Sequence, residues 1–402
     1  MFKKHPIVKK AINDININIP KNCIGIHGKI YNMSNFNHPG GNTFIEINKG
    51  CDVTTLFETH HINYKLANKI LNTLPVVGTY TPKINYNFTN YYKLKHELFD
   101  IFSTNKSRMM NNINKLSLSF YLFIAIYLHI KLLTYNYSNV NLYFYIICIF
   151  SSLFNSILGG FGHNGVHNLL YSSLLLDWNG LSSLEWLLEH AHSHHMYTNT
   201  IYDHDALSMQ PFLNWIPSNE NSLFNNKGKH LIFSIAEIVV PIHGNLIHRF
   251  RWSILFNKKF PIWLRLAPLI FIFRILSHIL YQGLIFGIIN LVICLSFAGY
   301  YFSYLAHLNH VNINNKNYEN LNNLDFVEHQ LKNTNDIKIN NYLSHIFLNL
   351  NKQKMHHLFP TIDHCHLEKV YKIYNFEIKN INYLNKELNN MLDKFSLCYN
   401  FS

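Results

Sequence analysis

Two apolar runs, LSLSFYLFIAIYLHIKLLTY (116–135) and LYFYIICIFSSLFNSILGGF (142–161), are separated by only six residues. Each is long enough as a helix to cross ~30 Å of hydrocarbon, and so short a connection makes them an antiparallel hairpin. A second hairpin spans 262–280 and 283–306, its first arm weakened by Arg265, Arg274 and His278. The stretch LIFSIAEIVVPIHGNLI (231–247) carries Glu237, Pro241 and His243, so it reads as an interfacial or protein-packed segment. Two hairpins give an even number of crossings. Both termini and the 162–261 segment are therefore expected on one membrane face.

Composition supports a membrane-embedded body with a smaller appendage: 48% of residues are hydrophobic and only 14% charged. The net charge of +12 comes with Lys-dense stretches at MFKKHPIVKK and at 92–115, just before the first apolar run. That placement is what the positive-inside rule expects on a cytosolic face, and it argues against nucleic acid as a partner. Cys23, Cys51, Cys148, Cys294, Cys365 and Cys398 show no CxxC spacing, so neither disulfides nor a cysteine-built zinc site is expected. The N-terminus has charge but no apolar core of a signal peptide, so no cleaved leader is expected.

Residues 1–80 read as a compact α+β unit: strand-like alternation in IGIHGKIYNM, a turn at NHPGG, then helical spacing in TFIEIN and DVTTLFETHH. Residues 81–115 read as a linker and a pre-membrane helix, YYKLKHELFDIFSTN, and 116–402 as the membrane domain.

The chain has 26 histidines, and they cluster at the ends of the apolar runs. His163 and His167 in GHNGVH are spaced i, i+4, which on a helix brings both imidazoles to one metal; alone, such a pair is more often a surface or core pair. EHAHSHHMYTN adds His190, His192, His194 and His195, too many imidazoles for core packing, since each buried ring needs its own partners. QKMHHLFP adds His356 and His357 behind Gln353, and YLAHLNHV adds His307 and His310. About eight ligating nitrogens on one face suit two metal ions. Imidazole suits Zn, Cu, Fe and Ni; open positions for O2 favour iron, although spacing does not separate a dizinc from a diiron site.

These residues resemble the membrane fatty-acid desaturases, and within them the front-end desaturases with a fused N-terminal cytochrome b5 domain, over nearly the whole chain. NHPGG (37–41) is similar to the haem-binding signature of cytochrome b5, and GCDVTTLFETHH (50–61) to the segment with its second axial histidine. The resemblance implies haem b ligated by His38 and His61, with His60 as the rival; two imidazoles leave such a haem no open position, which suits electron transfer. It implies three histidine boxes: HNGVH, where many relatives have Asp at the place of Asn164; HxxxHH, giving His190, His194 and His195 with His192 as the alternative; and QxxHH, giving Gln353, His356 and His357. His310 is the further ligand by the same resemblance, with His307 second. HIFLNLNKQ (345–353) lacks the Gly that relatives carry before the third box, so the backbone there is expected to differ.

The expected fold is a small α+β haem domain followed by a mainly α-helical membrane domain with about four transmembrane helices and a cytosolic histidine-rich cap. The implied activity is oxygen-dependent front-end desaturation of a mono- or polyunsaturated acyl chain, carried on lipid or CoA, at a diiron centre in the endoplasmic reticulum membrane. Electrons would come from NADH-cytochrome b5 reductase through the fused haem domain, on a tether that fixes no single orientation. A sphingolipid long-chain-base desaturase, a hydroxylase and a catalytically silent haem- and metal-binding protein are the other readings. Glu189, Asp203 and Asp205 are candidates to orient ligating imidazoles, the ordinary alternative being solvated surface carboxylates.

Overall fold

The computed structural model describes residues 19–206, apart from Lys83, Tyr137, Asn139 and Ile201, together with 260–310 and 323–374. The Lys-rich start, the expected interfacial segment at 231–247, Cys398 and the side chain of His307 lie outside the described residues.

The N-terminal unit is built on a three-stranded antiparallel sheet in the order β1 (Cys23–Ile26), β2 (Lys29–Asn32), β3 (Val76–Thr79). β1 and β2 pair from Cys23↔Asn32 to Ile26↔Lys29. The two-residue loop between them has φ of 49° at His27 and 76° at Gly28, the left-handed pair that matches a hairpin's twist. Between β2 and β3 run α1 (Thr43–Asn48), α2 (Thr54–His60) and α3 (Tyr64–Leu71), whose Ala67 and Leu71 face inward.

The stretch 84–88, expected as linker, and the expected helix that follows it are packed together into a core. Tyr86, Phe88 and the α4 (Thr89–Phe102) residues Tyr91, Leu98 and Phe102 are buried with Phe326, Met355, Leu358 and Phe359. Tyr91 Oη donates to the Leu358 carbonyl at 2.6 Å. The haem-type domain is docked as well: Met196 sits in its core with Ile24, Tyr31 and Leu56. Phe44 and Ile47 of α1 pack on Val166, Leu176 and Leu187. A buried ion pair, Lys95 Nζ to Glu58 Oε2 at 2.6 Å, joins α4 to α2 with both side chains at most 2% exposed. The fixed orientation has a plain cause, since an apolar α1 face and a Met196 knob leave water together.

α5 (Asn112–Leu133) and α6 (Leu142–His167) form the first hairpin, and α7 (Ile262–Gln282) and α8 (Leu284–His310) the second. α5, α6 and α7 are long and apolar enough to span a membrane, and α8 is apolar through Ser296. Phe123 at 70% and Leu280 at 79% exposure point outward, as a lipid contact requires. The charge in the weak arm is accommodated inside the bundle: Arg274 is buried and donates to the Trp178 carbonyl at 2.6 Å. After α8, α9 (Phe326–Asn333) and α10 (Gln353–Leu358) complete the cap.

Candidate metal centre

Most histidines of the cap site come from the ends of elements, His190 in the middle of one being the exception. α6 delivers His163 and His167 in its last two turns, and α8 ends on His310. α10 carries His356 and His357 in its last turn. The second cluster is wound as a π-helix, Trp186–His194, and not as the α-helix its spacing suggested. The wider winding sets residues i and i+5 side by side, so His190 meets His195, with Nε2 to Nε2 at 3.1 Å.

Nitrogens of His163, His167, His190, His195 and His356 lie within 4.8 Å of one another, and those of His194, His310 and His357 form a second such group. All eight are buried. His356 and His357, adjacent in sequence, divide between the two groups. The groups touch through the stacked rings of His195 and His357, 4.0 Å apart. His192, the alternative at the second box, belongs to neither; it lies 5.3 Å from the Phe44 ring of the haem-type domain.

Hydrogen bonding alone does not account for this cluster. His190 Nδ1 is 3.0 Å from Asp205 Oδ2, while its Nε2 faces both His163 Nε2 at 2.8 Å and His195 Nε2 at 3.1 Å. The other ring nitrogens of His163, His195 and His167 are buried without hydrogen-bond partners, as are both nitrogens of His356 and Nε2 of His194 and His357. Buried imidazole nitrogens left this way cost free energy unless something else binds them. Converging nitrogens of this kind fit metal ions, and imidazole without thiolate fits iron or zinc.

The protonation states agree. Burial, with the neighbouring imidazoles, holds His195, His356 and His357 well below the ordinary histidine value, so they are neutral, the form in which an imidazole can bind a metal. Burial acts the same way on His194, but the Asp203 carboxylate 2.8 Å from its Nδ1 outweighs it and raises the value. Asp203 is fully buried, and it also accepts from the Asn199 N–H. It is therefore no solvated surface group; Asp205, at 39% side-chain exposure, is partly one.

Several supporting residues have no motif in the sequence. Gln330 Oε1 is 3.0 Å from His357 Nδ1, while its amide nitrogen donates to the His195 carbonyl. Thr198 Oγ1 sits beside the same His357 nitrogen at 3.2 Å. His364 is buried with both nitrogens unpartnered, its ring 4.8 Å from His356 and 5.3 Å from His163. Gln353 sets its amide nitrogen 3.0 Å from His310 Nε2. Asn164 donates to Asp363. The segment without the expected glycine does turn unusually: Leu348 and Asn349 have φ of 52° and 57°, and Asn349 is fixed by its side-chain bond to the His364 carbonyl.

In the N-terminal unit His38 and His61 face each other with ring centroids 5.8 Å apart. Gly40 N–H meets His38 Nδ1, and His61 Nδ1 meets the Phe57 carbonyl, so both rings are held from the Nδ1 side. A cavity of about 360 Å³ opens around them, lined by Ile24, Ile26, Leu56, Phe57 and Leu71. An apolar slot with two imidazoles fits a haem. His60, the rival ligand, also lines the cavity, with its Nδ1 at 3.1 Å from Thr59 Oγ1 and its Nε2 buried without a hydrogen-bond partner.

The fatty acid desaturase family matches residues 141–379, and the cytochrome b5-like haem/steroid binding domain matches residues 16–81. Among curated proteins, the chain is 25% identical over 386 residues to the probable Delta(5) fatty acid desaturase C of Dictyostelium discoideum, covering 84% of this chain and 82% of that one. It is 26% identical over 195 residues to acyl-lipid (8-3)-desaturase B of the same organism, 43% of this chain and 40% of that one. A cytochrome b5-related protein of Drosophila melanogaster is 25% identical over 201 residues, 48% of this chain and 44% of that one. With the family match covering more than half of its length, the chain belongs to the fatty acid desaturases, as a front-end desaturase with a fused cytochrome b5 domain.

Proposed function

We propose that the chain uses O2 to place a double bond on the carboxyl side of an existing one in a fatty acyl chain carried on lipid or CoA. The observation that carries this reading is the convergence of eight buried histidines from three boxes and the end of α8 into groups of five and three. His163, His167, His190, His195 and His356 would hold one iron, and His194, His310 and His357 the other. Bound there, the iron pair would supply the oxidant that removes two hydrogens from adjacent methylenes as O2 is reduced to water. His38 and His61 would hold haem b, which would supply one-electron transfer from an NADH-cytochrome b5 reductase.

The chain's own residues prepare the ligands. Asp203 fixes the His194 ring through Nδ1, Asp205 fixes His190, and Gln330 with Thr198 fixes His357, so each presents its other nitrogen to the site. Gln353 holds His310 from the opposite side, through Nε2. Burial keeps water from the oxidising centre. We assign residues 1–80 to the haem domain, 81–115 to the connection and 116–402 to the desaturase domain, in the endoplasmic reticulum membrane with the boxes on the cytosolic face.

The test is expression in a yeast that makes few polyunsaturated lipids, fed unsaturated fatty acids, with new double bonds mapped by mass spectrometry. The relatives named Delta(5) make carbon 5 the first position to assay. New double bonds are expected on the carboxyl side of existing ones. A stable protein carrying haem and iron that forms none with any fatty acid or long-chain base overturns the reading.

A further inference from the structure

The haem cavity is walled by two different parts of the chain. Most of its lining is the apolar core of the cytochrome b5 domain, and the rest is Ser103, Asn105, Arg108, Met109, His167, Asn168 and Thr361 from outside that domain. Haem has the same polarity, an apolar ring with two carboxylates along one edge. Arg108 is the one Lys or Arg among the described lining residues. Its guanidinium meets only neutral acceptors: Nη1 reaches the His60 carbonyl at 3.4 Å and Thr361 Oγ1 at 3.2 Å, and Nη2 donates to Asn105. Its Nε is buried and unpartnered. Among the described residues no carboxylate forms an ion pair with it. A cation held partly out of water without an anion is costly, and a ligand carboxylate removes that cost.

We propose that Arg108 receives a haem carboxylate, so that the haem site is completed by residues from outside the cytochrome b5 domain. The proposal rests on the reading of His38 and His61 as haem ligands. It makes the docking of the two halves part of haem binding itself.

The full chain, wild type and as Arg108→Gln and Arg108→Lys, is loaded with haem or with haem dimethyl ester, and release to excess apomyoglobin is timed. Arg108→Gln should release haem roughly ten- to a hundredfold faster, the factor that a charge-assisted hydrogen bond carries. Arg108→Lys should release it more slowly than Arg108→Gln. In the wild type the ester should leave about as fast as haem leaves Arg108→Gln, and in Arg108→Gln the two forms should leave at one rate. Unchanged release from Arg108→Gln overturns the proposal, and so does a variant that loses haem and ester by the same factor, since that reports loosened docking alone. Absence of a bis-imidazole haem spectrum in the wild type would instead overturn the ligand reading of His38 and His61.

Discussion

Removing Lys95 tests whether the cytochrome b5 domain is locked to the desaturase or merely tethered to it. Lys95 Nζ meets Glu58 Oε2 at 2.6 Å and the Glu58 carbonyl at 3.0 Å, and Tyr92 Oη donates to the other carboxylate oxygen at 2.9 Å. With both side chains at most 2% exposed, Lys95→Met leaves the carboxylate out of water without its buried cation, held by His27 and Tyr92. Breaking a buried pair from one side costs about 3–5 kcal/mol, whereas replacing both partners by apolar groups is close to neutral. The expected result is amide exchange in α2 and α4 faster by roughly a hundredfold or more in Lys95→Met, at tenfold per about 1.4 kcal/mol. Lys95→Met with Glu58→Leu should recover most of the protection. The measurement is hydrogen exchange by mass spectrometry on the full chain in lipid discs at pH 7. Burial opposes ionisation of Glu58, yet His27, Lys95 and Tyr92 together hold its value at about 2, against an ordinary 4.5. Because the folded value is depressed, its contribution is complete above pH 4.5 and is lost as pH falls toward 2. Exchange that is unchanged in the single variant would refute the locked arrangement.

Four further outcomes follow from the same structure. Metal analysis should find that His357→Ala, which leaves two imidazoles in its group, retains about one ion per chain, while His356→Ala, which leaves four, loses less. Gln353→Ala should speed metal release to a chelator by freeing His310, and Gln353→His should slow it; identical kinetics in both would make the amide a bystander. Gly165→Ala should destabilise the fold by about 1–3 kcal/mol, because its Cβ would sit 2.7 Å from the Ser173 backbone nitrogen, between the two histidines of the first box. Burial lowers His329 to about 4, so the folded form takes up its proton late. Stability should fall by about 1.4 kcal/mol per unit from this group as pH drops from 6.5 toward 4, and His329→Phe should flatten that slope in thermal melts.

What the sequence made legible is what a local rule controls. Apolar length fixed α5, α6 and α7 to within a few residues, because lipid leaves a helix no other way to satisfy its backbone. The clustering of imidazoles beside apolar runs pointed to a metal site, and the resemblance to the family's histidine boxes named the eight, with His190 ahead of His192 and His310 ahead of His307. What stayed hidden depends on contacts between distant segments. The π-winding of Trp186–His194 pairs His190 with His195, and its spacing alone reads as ordinary α-helix. Asp203 and Asp205 look like loop carboxylates until the chain folds back nine and fifteen residues to His194 and His190. Gln330 and His364 stand in no motif at all, and the burial that gives them a role comes from α9 and the segment after α10 closing over the boxes.

The same limit applies to the docking of the connection. Residues 78–90 have the Pro and Asn content of a linker, and composition reports the chain's local stiffness rather than what it lands on. Tyr86, Phe88 and Tyr91 are apolar enough to join a core once Phe326 and Phe359 are brought beside them from more than two hundred residues away. That core also contains Met355 and Leu358 of α10, which carries His356 and His357. The connection therefore holds the haem domain in place and supports the third box with the same side chains. An electron donor docked through the acceptor's own core keeps one fixed path to it, and a looser tether would give only a high local concentration.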